Sequence, residues 1–211
     1  MRKDEGASAA QRWDARYRAA GEAPFGEAPS EYLREILARS DFAARTALCL
    51  ADGDGRNGGW LAGQGLAVTA VDVSAVATKQ ALALDRRRGV SVERIAADLA
   101  DWTPDPRRAW EAVFVIYLQG PAALRLRALE IAAAALAPGG WLVVEGFSKA
   151  LGPRSGMGPD DPDRLYSLEE LHQALPALQV VEALAGRVLL NEGRRHRGEA
   201  EVIRFAARRR E

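Results

Sequence analysis

Between residues 46 and 146 short apolar segments alternate with segments of helical period, and that alternation leaves few folds open. Residues 46–50, 66–71, 90–96, 112–118 and 141–146 have the length and apolar character of strands, while 75–88 and 121–136 read as helices. Strands separated by helices of ten or more residues pair in parallel, because each helix must carry the chain back across the sheet. The expected fold is α/β: a doubly wound, mainly parallel seven-stranded sheet with helices on both faces. Residues 112–118 are the most continuously apolar, which places them at its centre. Ser74 and Gly89 bracket the first long helix as N-cap and stop, and Ser167 with Glu170 forms a capping box for a helix ended by Pro176. Two terminal strands, 178–190 and 199–207, complete the seven. Upstream, residues 8–20 suit a helix with Trp13 and Tyr17 one turn apart, and Ser30 caps a second helix over 31–39. The reading is one structural domain, with 1–43 as an N-terminal helical lid and 44–211 as the core. Residues 148–164, rich in Gly, Pro and Asp, read as a long loop.

Parallel sheets of this kind bind ligands beyond the carboxyl ends of their strands, where the strand order reverses. Asp52, Asp72 and Asp98 follow the first three strands and gather at that rim. The first turn, Gly53-Asp54-Gly55-Arg56-Asn57-Gly58, has the spacing of a dinucleotide fingerprint, with Asp72 nineteen residues after Gly53. Charge decides against a dinucleotide. A pyrophosphate needs the positive end of a helix, and Asp52 and Asp54 flank the first glycine. At about 5 Å and an effective dielectric of 20, like charges repel by roughly 3 kcal/mol. S-adenosylmethionine has no phosphate, and its ammonium and sulfonium suit these acids.

Motifs spread from about residue 11 to 208 carry a family resemblance: Trp13-Asp14-x-Arg16-Tyr17, Phe25-Gly26-x-x-Pro29, the run from Leu48 to Asn57, Val68 to Ser74, Ala97-Asp98-Leu99, Pro138-Gly139-Gly140, Glu145-Gly146-Phe147 and Asn191-Glu192-Gly193-x-x-His196-x-Gly198. The chain resembles the class I S-adenosylmethionine-dependent methyltransferases, in a bacterial branch related to the tellurite-resistance and thiopurine enzymes. The resemblance implies S-adenosyl-L-methionine as cofactor, held by Asp52, Gly53, Asp54, Gly55, Asn57, Asp72, Val73, Asp98, Leu99 and Tyr117. Backbone of 52–55 would line the methionyl part and Asp72 would bind the ribose hydroxyls. Val73 would pack on the adenine, Asp98 would accept from its amino group, and Leu99 would give a backbone contact. Tyr117 would sit beside the sulfonium, and Trp13 and Tyr17 would close over the site. The sequence departs from the family pattern at Cys49, where an acid is usual, and at Ala51, where glycine is usual. Ala51 implies a φ below zero there, and Asp52 or Asp54 would take over the missing acid's hydrogen bonds. Gln119 stands where related sequences carry a histidine.

Methyl transfer asks the protein to align a nucleophile and exclude water. A soft anionic acceptor needs no general base, whereas an oxygen or amine acceptor often does, so no catalytic residue is assigned. His196, Glu145 and Tyr117 are expected at the rim, and Trp13, Tyr17, Phe25 and Phe147 could line an apolar acceptor pocket. His172, beside Leu171 and Leu175, reads as structural or exposed. The fourth strand ends Val115-Ile116-Tyr117-Leu118-Gln119-Gly120-Pro121, without the Asn/Asp-Pro-Pro-aromatic signature of enzymes that methylate amino groups of bases.

The remaining features bound the reading. The 211 residues carry 29 basic and 29 acidic side chains, a balance that recruits neither nucleic acid nor an anionic membrane. Cys49 is the only cysteine, set between Leu48 and Leu50 as a small buried hydrophobe, so no disulfide and no metal site are expected. Residues 1–12 have no apolar leader core and no 18-residue apolar run occurs, which points to the cytoplasm. The expected partner is a small-molecule methyl acceptor with a soft sulfur, selenium or tellurium nucleophile, and the expected state a monomer or weak homodimer. Two rival readings stand beside this: a cofactor-binding regulatory module without turnover, and a nicotinamide-dependent oxidoreductase, against which the absence of a Tyr-x-x-x-Lys pair speaks.

Overall fold

The computed structural model describes residues 6–21, 23–149 and 157–211; residues 150–156 of the expected loop 148–164, and residues 1–5 and 22 of the expected lid segment 1–43, lie outside them. The chain runs α1 (Ala9–Ala20), α2 (Glu31–Leu37), β1 (Thr46–Leu50), α3 (Arg56–Gly63), β2 (Ala67–Asp72), α4 (Ala75–Arg88), β3 (Glu93–Ala96), β4 (Trp110–Ile116), α5 (Ala122–Ala135), β5 (Leu136–Phe147), a 3-10 turn (Pro162–Arg164), α6 (Leu168–Ala174), β6 (Leu178–Asn191) and β7 (Arg197–Arg209). The strands form a single sheet in the order β3-β2-β1-β4-β5-β7-β6, with β4 in the middle. β1 to β5 pair in parallel, while β7 is antiparallel to both β5 and β6. The order reverses between β1 and β4, so the crevice beyond their carboxyl ends is the place for a ligand. No helix among the described residues is long and apolar enough to cross a membrane.

Alternation along β1 shows how the two faces are built. Ala47 and Cys49 face Tyr32, Leu33 and Ile36 of α2 and Leu61 of α3. Leu48 and Leu50 face the other way, into a core with Ala128, Leu129 and Ala132 of α5. Cys49 is 2 % exposed, a packed hydrophobe as expected. The caps at Ser30, Ser74 and Ser167 form as the sequence predicts.

Three departures have local causes. β3 begins at Glu93 rather than residue 90, because Gly89 and Val90 donate to Arg86 O and Asp85 O and so close the end of α4. β5 begins at Leu136, opposite Trp110, and reaches the main register through an irregularity between Trp110 and Ala112. Ala51 has φ +58°, not a negative value. Its N–H and that of Asp52 both donate to Val71 O, at 2.8 and 3.3 Å, and that shared acceptor folds the chain sharply at the strand end. A left-handed non-glycine residue costs about 1–2 kcal/mol.

Candidate functional site

A cavity enclosing about 890 Å³, its open mouth included, lies beyond the ends of β1, β2 and β4. Asp52, Gly53, Asp54, Asn57, Asp72, Val73, Asp98, Leu99 and Tyr117 all line it, so the strand-end residues singled out from sequence do converge. Gly55 does not. It faces inward, where an added Cβ would stand 2.6 Å from both Ala81 Cβ and Arg94 Nη2.

The acids at the rim differ in what they have free. Asp72 Oδ2 accepts from Gly53 N and Oδ1 from Ser74 N, both at 2.8 Å, which ties the end of β2 to the first turn. Burial nevertheless pushes its carboxyl up to about 6. Asp54 is likewise pushed up to about 6 by burial, and its Oδ2 has no partner. Asp98 Oδ1 accepts from Ala100 N at 3.0 Å. Asp52 is the exception: Oδ1 accepts from Gly58 N at 3.0 Å and Oδ2 meets Arg94 Nη1 at 2.7 Å. Its charge is neutralised inside the fold, so the electrostatic preference for a cationic ligand falls to Asp54 and Asp72.

The opposite wall is aromatic. Trp13 and Tyr17 come from α1, with ring centroids 6.0 Å apart, and Phe25 comes from the following loop. Asp14 holds α1 in place by accepting from Ser74 Oγ and Val76 N at the start of α4. Tyr117, at φ +54°, ends β4 and donates its N–H to Glu145 O. Its buried hydroxyl has no partner, and burial raises its pKa well above the usual tyrosine value. Phe147 does not line the cavity; it stands behind Tyr117 and His196, at centroid distances of 5.1 and 5.5 Å. Gln119 does line it.

His196 reaches the cavity from the turn between β6 and β7 and is boxed by Phe25, Tyr117 and Phe147. Its Nδ1 lies 3.5 Å from Glu192 Oε2. Burial lowers its pKa, against the pull of Glu192, so the ring is neutral at pH 7. Glu192 resists burial and stays at about 2, held there by His196, by Arg56 (Nη2 to Oε2, 2.8 Å) and by the N–H of Glu31 (3.0 Å). Glu145, expected at the rim, is instead fully buried: Ser30 Oγ donates to one oxygen and Arg204 Nε to the other. Burial, then the nearby Glu192, pushes it up to about 7. His172 is exposed on α6, edge-on to Phe205 and away from the site.

The 192–196 turn is seated by two facing glycines. A Cβ on Gly193, which has φ +111°, would stand 2.3 Å from Gly26 N, and one on Gly26 2.8 Å from Glu192 O. Gly193→Ala is expected to cost about 2 kcal/mol or more. That is a Tm lower by about 4–8 °C for a chain of this size, readable by scanning calorimetry.

Residues 47–140 match the family model described as a methyltransferase domain. No curated protein matches the chain in sequence. In fold it is similar to a protein solved in work on the conversion of a disulfide bond into a thioacetal group during echinomycin biosynthesis, at 17% identity and TM-score 0.74, covering 96% of this chain and 92% of that one. It is also similar to the N-methyltransferase NodS from Bradyrhizobium japonicum WM9, solved with S-adenosyl-L-homocysteine, at 19% identity and TM-score 0.65, covering 97% and 94%. TehB from Haemophilus influenzae gives 13% identity and TM-score 0.66, covering 85% of this chain and 62% of that one. The chain as a whole shares the Rossmann-like fold of these proteins, and within it residues 47–140 are similar to the methyltransferase-domain family.

Proposed function

We propose that this chain methylates a small molecule whose nucleophile is soft: a thiol, selenide or telluride. The carrying observation is the composition of the cavity, where two acids with raised pKa face an aromatic wall that includes one neutral imidazole. The residues fit S-adenosylmethionine: Asp54 Oδ2 and the Tyr117 hydroxyl are buried and unpartnered, and the first can accept from an ammonium. In this reading the backbone of 52–54 holds the methionyl end, Asp72 the ribose, and Val73, Asp98 and Leu99 the adenine, while Gly55 faces the fold beneath. Helix α1, as part of a lid over 1–43, keeps water from the site.

The cofactor supplies a methyl carbon activated by its sulfonium leaving group. The chain's own contribution is alignment between Tyr117 and the aromatic wall, and control of one proton. His196, neutral and with Nδ1 turned toward Glu192, has Nε2 free to take the proton of a thiol as sulfur attacks; a telluride already ionised needs no such help. Placement in the tellurite-resistance and thiopurine branch, in the cytoplasm, as a monomer or weak homodimer, belongs to the same proposal and rests on the sequence motifs.

The test is transfer of radiolabelled methyl from S-adenosylmethionine to a panel of thiols, amines and phenols, and to selenide and telluride generated from selenite and tellurite with a chemical reductant in the assay. Label in the sulfur, selenium or tellurium members is the expected result. Label confined to amines or phenols overturns the acceptor class, and binding without transfer to any member favours a regulatory module.

A further inference from the structure

The Asp52 carboxylate, which lies at the cavity but points into the fold, belongs to a buried charge network that the methyl-transfer reading does not use. Arg94, on β3, donates Nη1 to Asp52 Oδ2 at 2.7 Å, and Nε and Nη2 to the two oxygens of Asp85, on α4, at 2.7 and 2.9 Å. The three side chains are 3 %, 2 % and 5 % exposed. Arg94 Nη2 also lies 3.5 Å from Gly55 O, and Asp52 accepts from Gly58 N at the start of α3.

The glycines of the turn and of α3 are shaped around this network. A Cβ on Gly55 would stand 2.6 Å from Arg94 Nη2, one on Gly58 2.5 Å from Asp52 Oδ2, and one on Gly59 2.8 Å from Asp85 Oδ1. The last glycine of the G-x-G-x-x-G spacing therefore makes room for a carboxylate of this chain. The turn above takes positive φ at Ala51, Gly53 and Gly55 (+58°, +58° and +86°), which is strained only at the non-glycine Ala51.

We propose that Arg94 is a positioning residue for the cofactor: by fixing Asp52 from below it holds the turn 51–55, left-handed at Ala51, Gly53 and Gly55, in the form that receives the methionyl end. Buried and fully paired, the guanidinium pulls the turn, β3 and α4 into one register. Without it, Asp52 would be left as an uncompensated buried charge and the turn would relax. This rests on the assignment of that turn to the methionyl end.

The test is calorimetric binding of S-adenosylhomocysteine to the full chain at 25 °C, with Tm recorded for each variant. Arg94→Met is expected to weaken binding about tenfold and Arg94→Lys, which keeps the charge but not the fork, about threefold. Leu171→Ala, on the buried face of α6, is the stability control: at a comparable loss of Tm it should leave the Kd within twofold. A folded Arg94→Met that binds within twofold of wild type overturns the proposal, as does a Leu171→Ala that weakens binding as much. If Arg94→Met does not fold, Asp85→Asn takes its place, with severalfold weaker binding expected and an unchanged Kd overturning the idea. Loss in Asp72→Asn but not in Arg94→Met refutes the positioning role alone, whereas no loss in either refutes the assignment of the site.

Discussion

Asp72→Ala is expected to raise the Kd for S-adenosylmethionine tenfold to a hundredfold in isothermal calorimetry. The side chain would lose a charged hydrogen-bond partner to the ribose, a loss of about 1.5–3 kcal/mol. Asp72 also accepts the N–H groups of Gly53 and Ser74, so the alanine variant disturbs the turn as well. Asp72→Asn, which keeps an amide oxygen for one of them, narrows the disturbance: its Kd should rise with a smaller fall in Tm than that of the alanine variant. An unchanged Kd in both variants removes Asp72 from the ribose site. Acid should mimic the variant. Asp54 and Asp72 both sit at about 6, and a cationic ligand is held best by their ionised forms. The wild-type Kd should therefore be flat above pH 7 and rise as pH falls through 6, by about tenfold per unit for each linked carboxylate. The ligand-free fold responds in the opposite sense to these two groups. Their folded pKa lies above the unfolded value, so the stability they contribute is present at low pH and is lost as pH rises through 6.

The second large effect is at His196. With a thiol acceptor at pH 7, His196→Ala should lower kcat about a hundredfold, the scale of general-base catalysis, while the Kd for S-adenosylmethionine stays within about threefold. The deficit should shrink as pH rises past the acceptor's own pKa, because a thiolate formed in solution no longer needs the imidazole. With an acceptor already anionic at pH 7 the variant should be nearly silent. A hundredfold loss that persists at all pH values would mean that the ring aligns the acceptor and moves no proton.

The fold was legible because the strands announce themselves by unbroken apolarity, and Asp72 and Asp98 sit where the pattern stops. Cap residues such as Ser30 and Ser74 act within four positions and need no tertiary knowledge. What could not be read locally depends on distant partners. Glu145 looked like a rim acid, but its two oxygens are claimed by Ser30, 115 residues earlier, and by Arg204, 59 residues later. Asp52 looked like a ligand for a cationic cofactor until Arg94, forty-two residues on, took its charge. Arg94 itself carried one signal, a cation inside the four-residue strand β3. At Ala51 residue preference pointed to negative φ, and the pair of N–H groups converging on Val71 O outweighed it.

The place of β7 in the sheet has a consequence for how the molecule is assembled during synthesis. The last strand in the sequence is inserted between β5 and β6, and its approach turn carries Glu192 and His196 to the Phe25 loop. Residues 46–147 can pair with one another as soon as they emerge, but on α2 Glu35 waits for Arg204 and the Glu31 N–H for Glu192. Until then β5 is a bare apolar edge, Leu142 to Phe147, of the kind that pairs with other chains. The His196 side of the cavity is thus the last part to be built, and a nascent chain halted before β7 would be prone to aggregate rather than merely inactive.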